Sequence, residues 1–402
     1  MAVIIAIFVG LTVSAEEIIN DRKIRKREAF LNLSRVSYLF SKVAILVGIS
    51  AIQSFLFVIV GNSIIGIKGM YFQYWLILFS SSVFANMLGL NISDTFRKTV
   101  NIYISIPFLI IPQLILSGIF ISFDRFNPDI SSPNKIPWYG EMITSRWAFE
   151  ALATYQFINN DYEKHFYVYD QIKSQANFKK EYWIPTIKNK LERAKKLYKS
   201  KQASEQLDYT LSLLQTELKK HQVSGVDIDQ YFNINNYKVN FNEELYGATN
   251  LYLTKLKKYY RALYNTADKL QDEEKLKLTK TPELKEQFIN LRNDNTNEDL
   301  ERFLRNKNNF FSNKIIEYDG QLWQKIDPIF QEPEHSFITA HFFSPVKNIF
   351  SRPVSTYWID TFVIWLMNIF LFITLQHRLL PRLFNFGFFV SSTIKTKRKK
   401  NG

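Results

Sequence analysis

The sequence predicts an all-α membrane protein, a polytopic helical bundle that carries a large soluble helical insertion outside the membrane. Long apolar segments occupy the first quarter of the chain and return near the C-terminus, whereas residues 160–350 are rich in Lys, Glu, Asn and Tyr. The chain of 402 residues also contains 35 Phe. That content is high for a soluble domain and indicates lipid-facing surface.

The net charge of +14 has three ordinary explanations, namely nucleic acid, anionic lipid and membrane topology. The sequence shows no zinc-finger spacing and no RNA-binding aromatic motif, and many of its Lys and Arg residues lie beside apolar segments. Topology therefore explains the excess best, and no nucleic-acid partner is expected. The lack of Cys excludes disulfides, thiolate nucleophiles and Cys-based metal sites.

Four apolar segments are long enough to cross a bilayer core of about 30 Å, which takes about 20 helical residues. They are residues 43–60, 71–90, 100–122 and 358–375. The third contains Pro107 and Pro112. Both are tolerable in a membrane helix because neighbouring groups can satisfy the freed carbonyls.

Residues 1–13 are apolar but too short to span a membrane by themselves. They could be a signal peptide that ends at Val13-Ser14-Ala15, although no positive region precedes them. They could instead be the end of a membrane helix whose beginning is missing. The distribution of Lys and Arg favours the second interpretation, because cleavage would send the following basic stretch outward. We then expect the chain to be truncated at its N-terminus.

The positive-inside rule orients the predicted spans. If residues 22–35 are cytoplasmic, residues 91–99 and the basic tail 379–402 are also inside, whereas residues 61–70 and 123–355 are outside. Every short loop rich in Lys and Arg then lies on one side, and the reverse orientation puts all of them on the wrong side. We expect a multi-pass protein, in a bacterial inner membrane.

The spans divide the chain into five parts. They are membrane helices in 1–125, with a charged cytoplasmic segment at 14–42, a re-entrant or interface helix in 126–160, a helical extracytoplasmic insertion in 161–350, the last span in 351–378 and the basic tail 379–402.

The insertion has the apolar spacing of amphipathic helices. Apolar residues recur three and four apart across 189–221 and 242–271. Thr281 is a predicted N-cap for a further helix, and 237–241 is a candidate strand. The charges of the insertion are most simply a solvated surface, with a partner-binding role as the alternative.

Searches for catalytic motifs favour no active site on this chain. Gly61 and Gly66 have the gap of a Walker A loop, but Ile67-Lys68-Gly69 follows instead of Lys-Ser/Thr. The "LSG" at residues 116–118 is like an ABC signature but is expected inside an apolar helix.

Two histidines, His335 and His341, lie near Glu332 and Glu334. A metal site is one interpretation of this group. A loop that approaches the membrane is the favoured one.

Three stretches carry a family resemblance. The first has an acidic–basic pair, a Glu, an Arg, and then a Tyr and a Lys that lead into the next span, with a Gln inside it: Asp21-Arg22, Glu28, Arg35, Tyr38, Lys42 and Gln53. The others are "LILSGIFISFDRF…IPWYGEMI" and "SRWAFEALATYQF". In this order they resemble the permease (transmembrane) domain of G-type ABC exporters, within the type-2 ABC permease superfamily. The resemblance covers residues 1–160 and 355–376.

The resemblance implies a type-2 ABC permease-like bundle in which a short helix at 16–28 couples the spans to an ATPase. The residues that would form this coupling site are Glu16, Glu17, Asp21, Arg22, Glu28 and Arg35. Their alternating charges are expected to offer salt-bridge partners to the ATPase surface. The alternative is a simple stop-transfer loop held by anionic lipid, which the acidic residues disfavour.

Two further sites follow from the same likeness. An apolar constriction at Gly118, Ile119 and Phe120 is implied to gate the exit for the substrate, although ordinary helix packing around Gly118 explains the motif equally well. Arg146 and Glu150 are four residues apart on a predicted helix, so they can satisfy each other's charge. We expect them to form a structural interface.

The leading hypothesis is the membrane-spanning part of an ATP-driven ABC exporter for a lipid-like or amphipathic substrate. ATP hydrolysis, with its ATP and Mg²⁺, is expected on an ATP-binding domain that is fused upstream or separate, and no cofactor is expected on this chain. The permease domains are expected to pair as a homodimer or heterodimer among membrane lipid. The alternative is a membrane-anchored sensor or scaffold whose outer helical domain binds a partner.

Overall fold

The computed structural model describes residues 1–27, 30, 34–121, 123, 136–200, 205–307, 314–333 and 337–383. Helices dominate both halves, as predicted for the fold class. The helices of the bundle are α1 (Ala2–Ser14), α2 (Glu17–Arg27), α3 (Arg35–Ile65), α4 (Tyr71–Thr95), α5 (Thr99–Ile115), α6 (Trp138–Glu141), α7 (Thr144–Asn159) and α14 (Thr356–Gln376).

The insertion contains the remaining helices and two short hairpins. Its helices are α8 (Glu163–Phe178), α9 (Ile184–Lys199), α10 (Glu205–Lys220), α11 (Glu243–Leu278), α12 (Pro282–Asn295) and α13 (Glu298–Leu304). The antiparallel hairpins pair β1 (Ile315–Tyr318) with β2 (Gln321–Gln324), and β3 (Val346–Ile349) with β4 (Arg352–Ser355).

Helix α4 is the centre of the bundle, since α1, α3, α7 and α14 all pack against it. Small residues let α1 approach it closely. A Cβ atom on Gly89 would lie 2.0 Å from the Ser14 Oγ, and one on Gly10 would lie 2.7 Å from the Ser82 carbonyl oxygen. Close approach through small residues is the usual way in which membrane helices pack. Residues 1–13 are thus part of a packed bundle helix.

Among the described residues, four segments are long and apolar enough to cross a membrane, namely Ala2–Arg27, α3, α4 and α14. The prediction of a complete span at 100–122 is corrected, because α5 has 17 residues and ends at Ile115. The chain turns there, and Gly118 adopts a φ of +76°, which is open to glycine but strained for other residues. The "LSG" of residues 116–118 therefore lies in this turn and not inside a helix.

The insertion has its own apolar core, built around Trp183, Leu214, Tyr252 and Leu256. Helix α8 continues through a π-helical segment, Lys179–Trp183, into α9. Helix α12 begins as predicted, because the Thr281 hydroxyl caps it by accepting from the Leu284 amide.

The predicted strand at 237–241 is wrong. The Asn240 amide donates to the Asn236 carbonyl, which is a helical spacing. Tyr237 and Phe241 both pack into the core of the insertion from this segment.

The insertion and α2 lie at opposite ends of α4. At its first turn, the Tyr74 hydroxyl donates to Gln156 of α7, from which the insertion continues. At its last turn, Ser93 contacts α2. The 25 residues of α4 separate these two ends by about 37 Å. The α3–α4 loop belongs to the insertion's end, because Lys68 forms an ion pair with Asp294 of α12.

Candidate functional site

Helix α2 begins at the end of α4 and is capped by it. The Ser93 Oγ accepts from the amides of Ile18 and Ile19, each at 3.0 Å. First-turn amides have no partner within their own helix, so a hydroxyl supplied by another helix both satisfies them and fixes where α2 starts. The buried Ile18 side chain packs with Leu39 and Leu375, which adds an apolar contact at the same place.

The acidic residues of α2 face α3. The Lys42 ammonium lies 2.7 Å from a Glu17 carboxylate oxygen and 2.9 Å from one of Asp21. The Tyr38 hydroxyl also donates to Asp21, and the Arg25 guanidinium lies over the Tyr38 ring. These contacts join α2 to α3 along two turns.

Asp94 is the charged centre where α3, α4 and the residues after α14 meet. Its carboxylate lies 3.1 Å from the Arg35 guanidinium and 3.1 Å from that of Arg378, and its side chain is 4% exposed. Arg22 of α2 donates to the backbone carbonyls of Ser93 and Asp94. Arg35 also donates to the Leu375 carbonyl at the end of α14.

Four of the predicted coupling residues have partners within the chain, and their coupling role stays a prediction. Glu17, Asp21, Arg22 and Arg35 pair within the chain, so these charges are largely engaged by α3 and α4 instead of facing outward. Glu16 is half-buried and accepts from the Tyr103 hydroxyl. Glu28 lies outside the described residues.

The outward face of α2 is cationic. Lys23, Lys26 and Arg27 are exposed together with Ile24, and Arg97 and Lys98 are exposed just beyond the end of α4. We call these six residues the basic face. Because the acids of α2 are turned inward, a partner that meets this surface meets cations and one apolar side chain.

Sequence reasoning missed Ser93 and Asp94. One signal could have found Asp94, since a carboxylate at the end of a long apolar segment is costly unless a cation pairs with it. No comparable signal marks Ser93, because a hydroxyl that caps a helix 75 positions away leaves no local pattern.

The predicted gate residues lie just after α5. The buried Gly118 is covered by the Phe123 ring, and a Cβ atom at Gly118 would lie 2.5 Å from it. Ile119 is half-buried and Phe120 is half-exposed. This geometry explains the glycine by close packing and by its positive φ, and the gate stays a prediction.

The predicted pair of Arg146 and Glu150 is present, fully buried, with 2.7 Å between guanidinium and carboxylate. The structure adds three residues that the sequence did not indicate. The Lys347 ammonium of β3 lies 2.8 Å from Glu150 and 2.6 Å from Asp360 of α14. Glu141 binds Arg146 from its other side at 2.7 Å. We call these five residues the outer cluster.

The other candidate motifs do not assemble into a site. Gly61 lies inside α3, and Gly66 ends that helix in a left-handed conformation. His341 contacts the Pro328 carbonyl, while His335 and Glu334 lie outside the described residues. Within the part of the chain that the structure describes, no three His, Asp or Glu side chains are grouped to hold a metal ion.

A family comparison identifies the part of the chain that contains α1 to α7. The model of the family described as ABC-2 type transporter matches residues 1–157. Residues 1–157 form an ABC-2 type transporter domain. Such a domain is the non-catalytic membrane component of an ABC transporter and normally pairs with an ABC ATP-binding protein. The chain is thus an integral membrane protein with a permease component.

The match ends within α7, so the insertion and α14 lie beyond it. No curated protein and no solved structure matches the chain.

Proposed function

We propose that this chain is the permease of an ATP-driven exporter and that its basic face docks on an ATP-binding domain, fused or separate. The geometry of α2 carries the proposal. One side of the helix is fixed to α3 and α4 by a cap, a buried apolar side chain and two ion pairs, while its other side is exposed and can meet a partner. Because α2 is held in this way, a displacement of α2 by its partner should displace α3 and α4 as well.

The two ends of the bundle support the expected orientation. Helix α2, the α4–α5 loop and the residues after α14 share one end, and the α3–α4 loop and the insertion share the other. In the proposed orientation, the first end is cytoplasmic and the insertion is extracytoplasmic. A cysteine at the exposed Asn20, in a chain without native cysteines, should react with a membrane-impermeant maleimide only after the cells are opened.

The proposed substrate is lipid-like or amphipathic. Helices α1 and α5 present large apolar side chains, including Phe8, Ile104 and Phe108, that are not covered within the chain. In a pair of permease domains, these helices would line the substrate path, past Ile119 and Phe120. The readout is ATP-dependent movement of a fluorescent phospholipid between leaflets of proteoliposomes that contain the chain and its ATP-binding partner.

Docking is tested by charge reversal on the basic face. The triple variant Lys23→Glu, Lys26→Glu, Arg27→Glu should lose co-purification with an ATP-binding protein from native membranes, because like charges at a docking surface repel an acidic partner. The matched control reverses Lys255, Lys258 and Arg261, three exposed cations on α11, and should co-purify normally.

Sidedness in both variants is checked with the Asn20→Cys label, since cytoplasmic cations also set topology. If the triple variant keeps its topology and still binds the ATP-binding protein, docking through the basic face is refuted. If the parent chain brings down no ATP-binding protein, the sensor or scaffold alternative replaces the exporter.

A further inference from the structure

The last turn of α4 contacts three other elements through two adjacent residues. The Ser93 side chain holds α2, because its hydroxyl caps that helix, while Arg22 of α2 donates to the backbone carbonyls of both residues. Asp94 serves α3 and the end of α14, because its carboxylate pairs with Arg35 and with Arg378. The side chains of the two residues thus contact different helices.

The side chains of Ser93 and Asp94 are both buried, so their contacts are costly to break. The Ser93 side chain is fully buried and Asp94 is 4% exposed. A buried carboxylate is stable only with its cations, and buried amides only with their acceptor. Moving α2 away from Ser93, or α3 and α14 away from Asp94, therefore leaves an unpaired polar group in the bundle. Helix α4 is itself buried along most of its length, so it cannot shift without its neighbours.

We infer that Ser93 and Asp94 are positioning residues that join α2 to the inner end of α14 through α4, with Ser93 holding α2 and Asp94 holding α14 and α3. These roles rest on the proposed function, in which α2 receives the movement of an ATP-binding partner. Movement of α2 then reaches the last span, and with it the outer cluster, through the last turn of α4. The chain connection from α2 to α1 at residues 15–16 is a separate route.

The experiment uses pairs of spin labels on introduced cysteines, which the absence of native Cys makes clean. One pair, at the exposed Asn20 and Asn101, reports the place of α2 relative to the first turn of α5, which follows the end of α4. The other, at Ser41 and Leu379, reports the separation of α3 from the end of α14; both of these residues are also exposed. The full chain is measured in lipid nanodiscs, diluted with unlabelled chain so that only distances within one chain count.

Distinct results are expected for the two residues. Ser93→Ala should broaden the Asn20–Asn101 distance distribution and leave Ser41–Leu379 as in the parent. Asp94→Asn should broaden the Ser41–Leu379 distance distribution and leave Asn20–Asn101 as in the parent. Asp94→Glu should keep the parent distribution at Ser41–Leu379 because it keeps the charge. If each variant broadens both distances equally, or neither, the division of roles is refuted and only general packing remains.

A second measurement adds the co-purified ATP-binding protein, ATP and Mg²⁺. In the parent both distances should shift, and in Asp94→Asn the shift at Ser41–Leu379 should be lost while that at Asn20–Asn101 persists. A shift at Ser41–Leu379 that survives Asp94→Asn overturns the inferred route. If the Asn20–Asn101 distance does not shift in the parent, the proposed function is contradicted. The roles of Ser93 and Asp94 are tested separately, by the nanodisc measurement without the partner.

Discussion

The two ends of α14 are held by opposite kinds of charge cluster. At the inner end, Arg35 and Arg378 share the single carboxylate of Asp94. In the outer cluster, two cations meet three carboxylates among the described residues. Exposure differs as well, since Arg378 is 52% exposed whereas Lys347 and Asp360 are at most 1% exposed.

This difference indicates which end can rearrange. Both cations of Asp94 are partly exposed and can be taken up by water, although Asp94 itself is 4% exposed, so breaking the inner contacts costs less than breaking contacts in which both partners are buried. A cation that leaves the outer cluster abandons Glu150 or Asp360, whose side chains have no access to water, and this is strongly unfavourable. The outer end is therefore a fixed joint between α7, α14 and the β3–β4 hairpin, and the inner end is where movement can enter.

The largest effect is expected when Lys347 is replaced. Lys347→Met leaves Glu150 and Asp360 buried without their shared cation, and breaking a buried pair in this way costs about 3–5 kcal/mol. The free energy of unfolding is measured on the full chain in detergent micelles by the loss of helical circular dichroism.

The matched control is Lys68→Met, which removes a lysine whose partner Asp294 is also exposed. Exposed ion pairs contribute about 0–1 kcal/mol, so this variant should unfold almost as the parent does. Equal losses in the two lysine variants would show that the outer cluster adds no more than a surface pair.

A smaller effect is expected at the inner end. Asp94→Asn keeps the shape of the side chain and removes its charge, and we expect a loss of about 1–2 kcal/mol because Arg35 and Arg378 can turn to water. The same unfolding measurement applies, with Asp94→Glu as the variant that keeps the charge. A loss at Asp94 larger than that at Lys347 would reverse the comparison and make the inner end the fixed joint.

The sequence predicted contacts within one helix better than contacts between helices. Arg146 and Glu150 are one helical turn apart, so their pairing could be predicted from spacing, and the Thr281 cap could be predicted in the same way. Lys347 reaches Glu150 across 197 positions, and Arg378 reaches Asp94 across 284. Such pairs depend on how the helices pack, which periodicity does not specify.

Helix existence was likewise easier to predict than helix ends. The apolar run predicted a span as far as residue 122, but α5 ends at Ile115, before the left-handed Gly118. The direction in which the acidic side chains of α2 point was likewise not predicted. Their alternating charges indicated ion pairs correctly, yet the partner Lys42 lies on the neighbouring helix and not on another protein.

An effect no larger than that at Asp94 is expected at Glu163, just beyond α7, which forms no ion pair within the described residues although its acidic neighbours Asp170 and Glu301 do. Burial raises the pKa of Glu163 in the first turn of α8 to about 7, and Asp170 and Glu301 add to the rise while Arg305 opposes it. The folded state thus binds a proton there that the unfolded state releases at lower pH. Stability from this group is present below pH ~4.3 and is lost as the pH rises through about 7.

Glu163→Gln should remove this dependence, so the variant should be more stable than the parent at pH 8, by about 1–2 kcal/mol since Glu163 is only half-buried. Glu283→Gln is the matched control, because Glu283 also lies in a first turn, while its own backbone amide and the Thr281 hydroxyl hold its pKa below the ordinary value. It should leave the pH dependence of stability unchanged above pH 6, because Glu283 is ionised there in both the folded and the unfolded state. An equal pH dependence of stability in the parent and in Glu163→Gln would show that the pKa of Glu163 is not raised in the folded state. The contrast with the outer cluster, whose carboxylates have close cations, would then be lost.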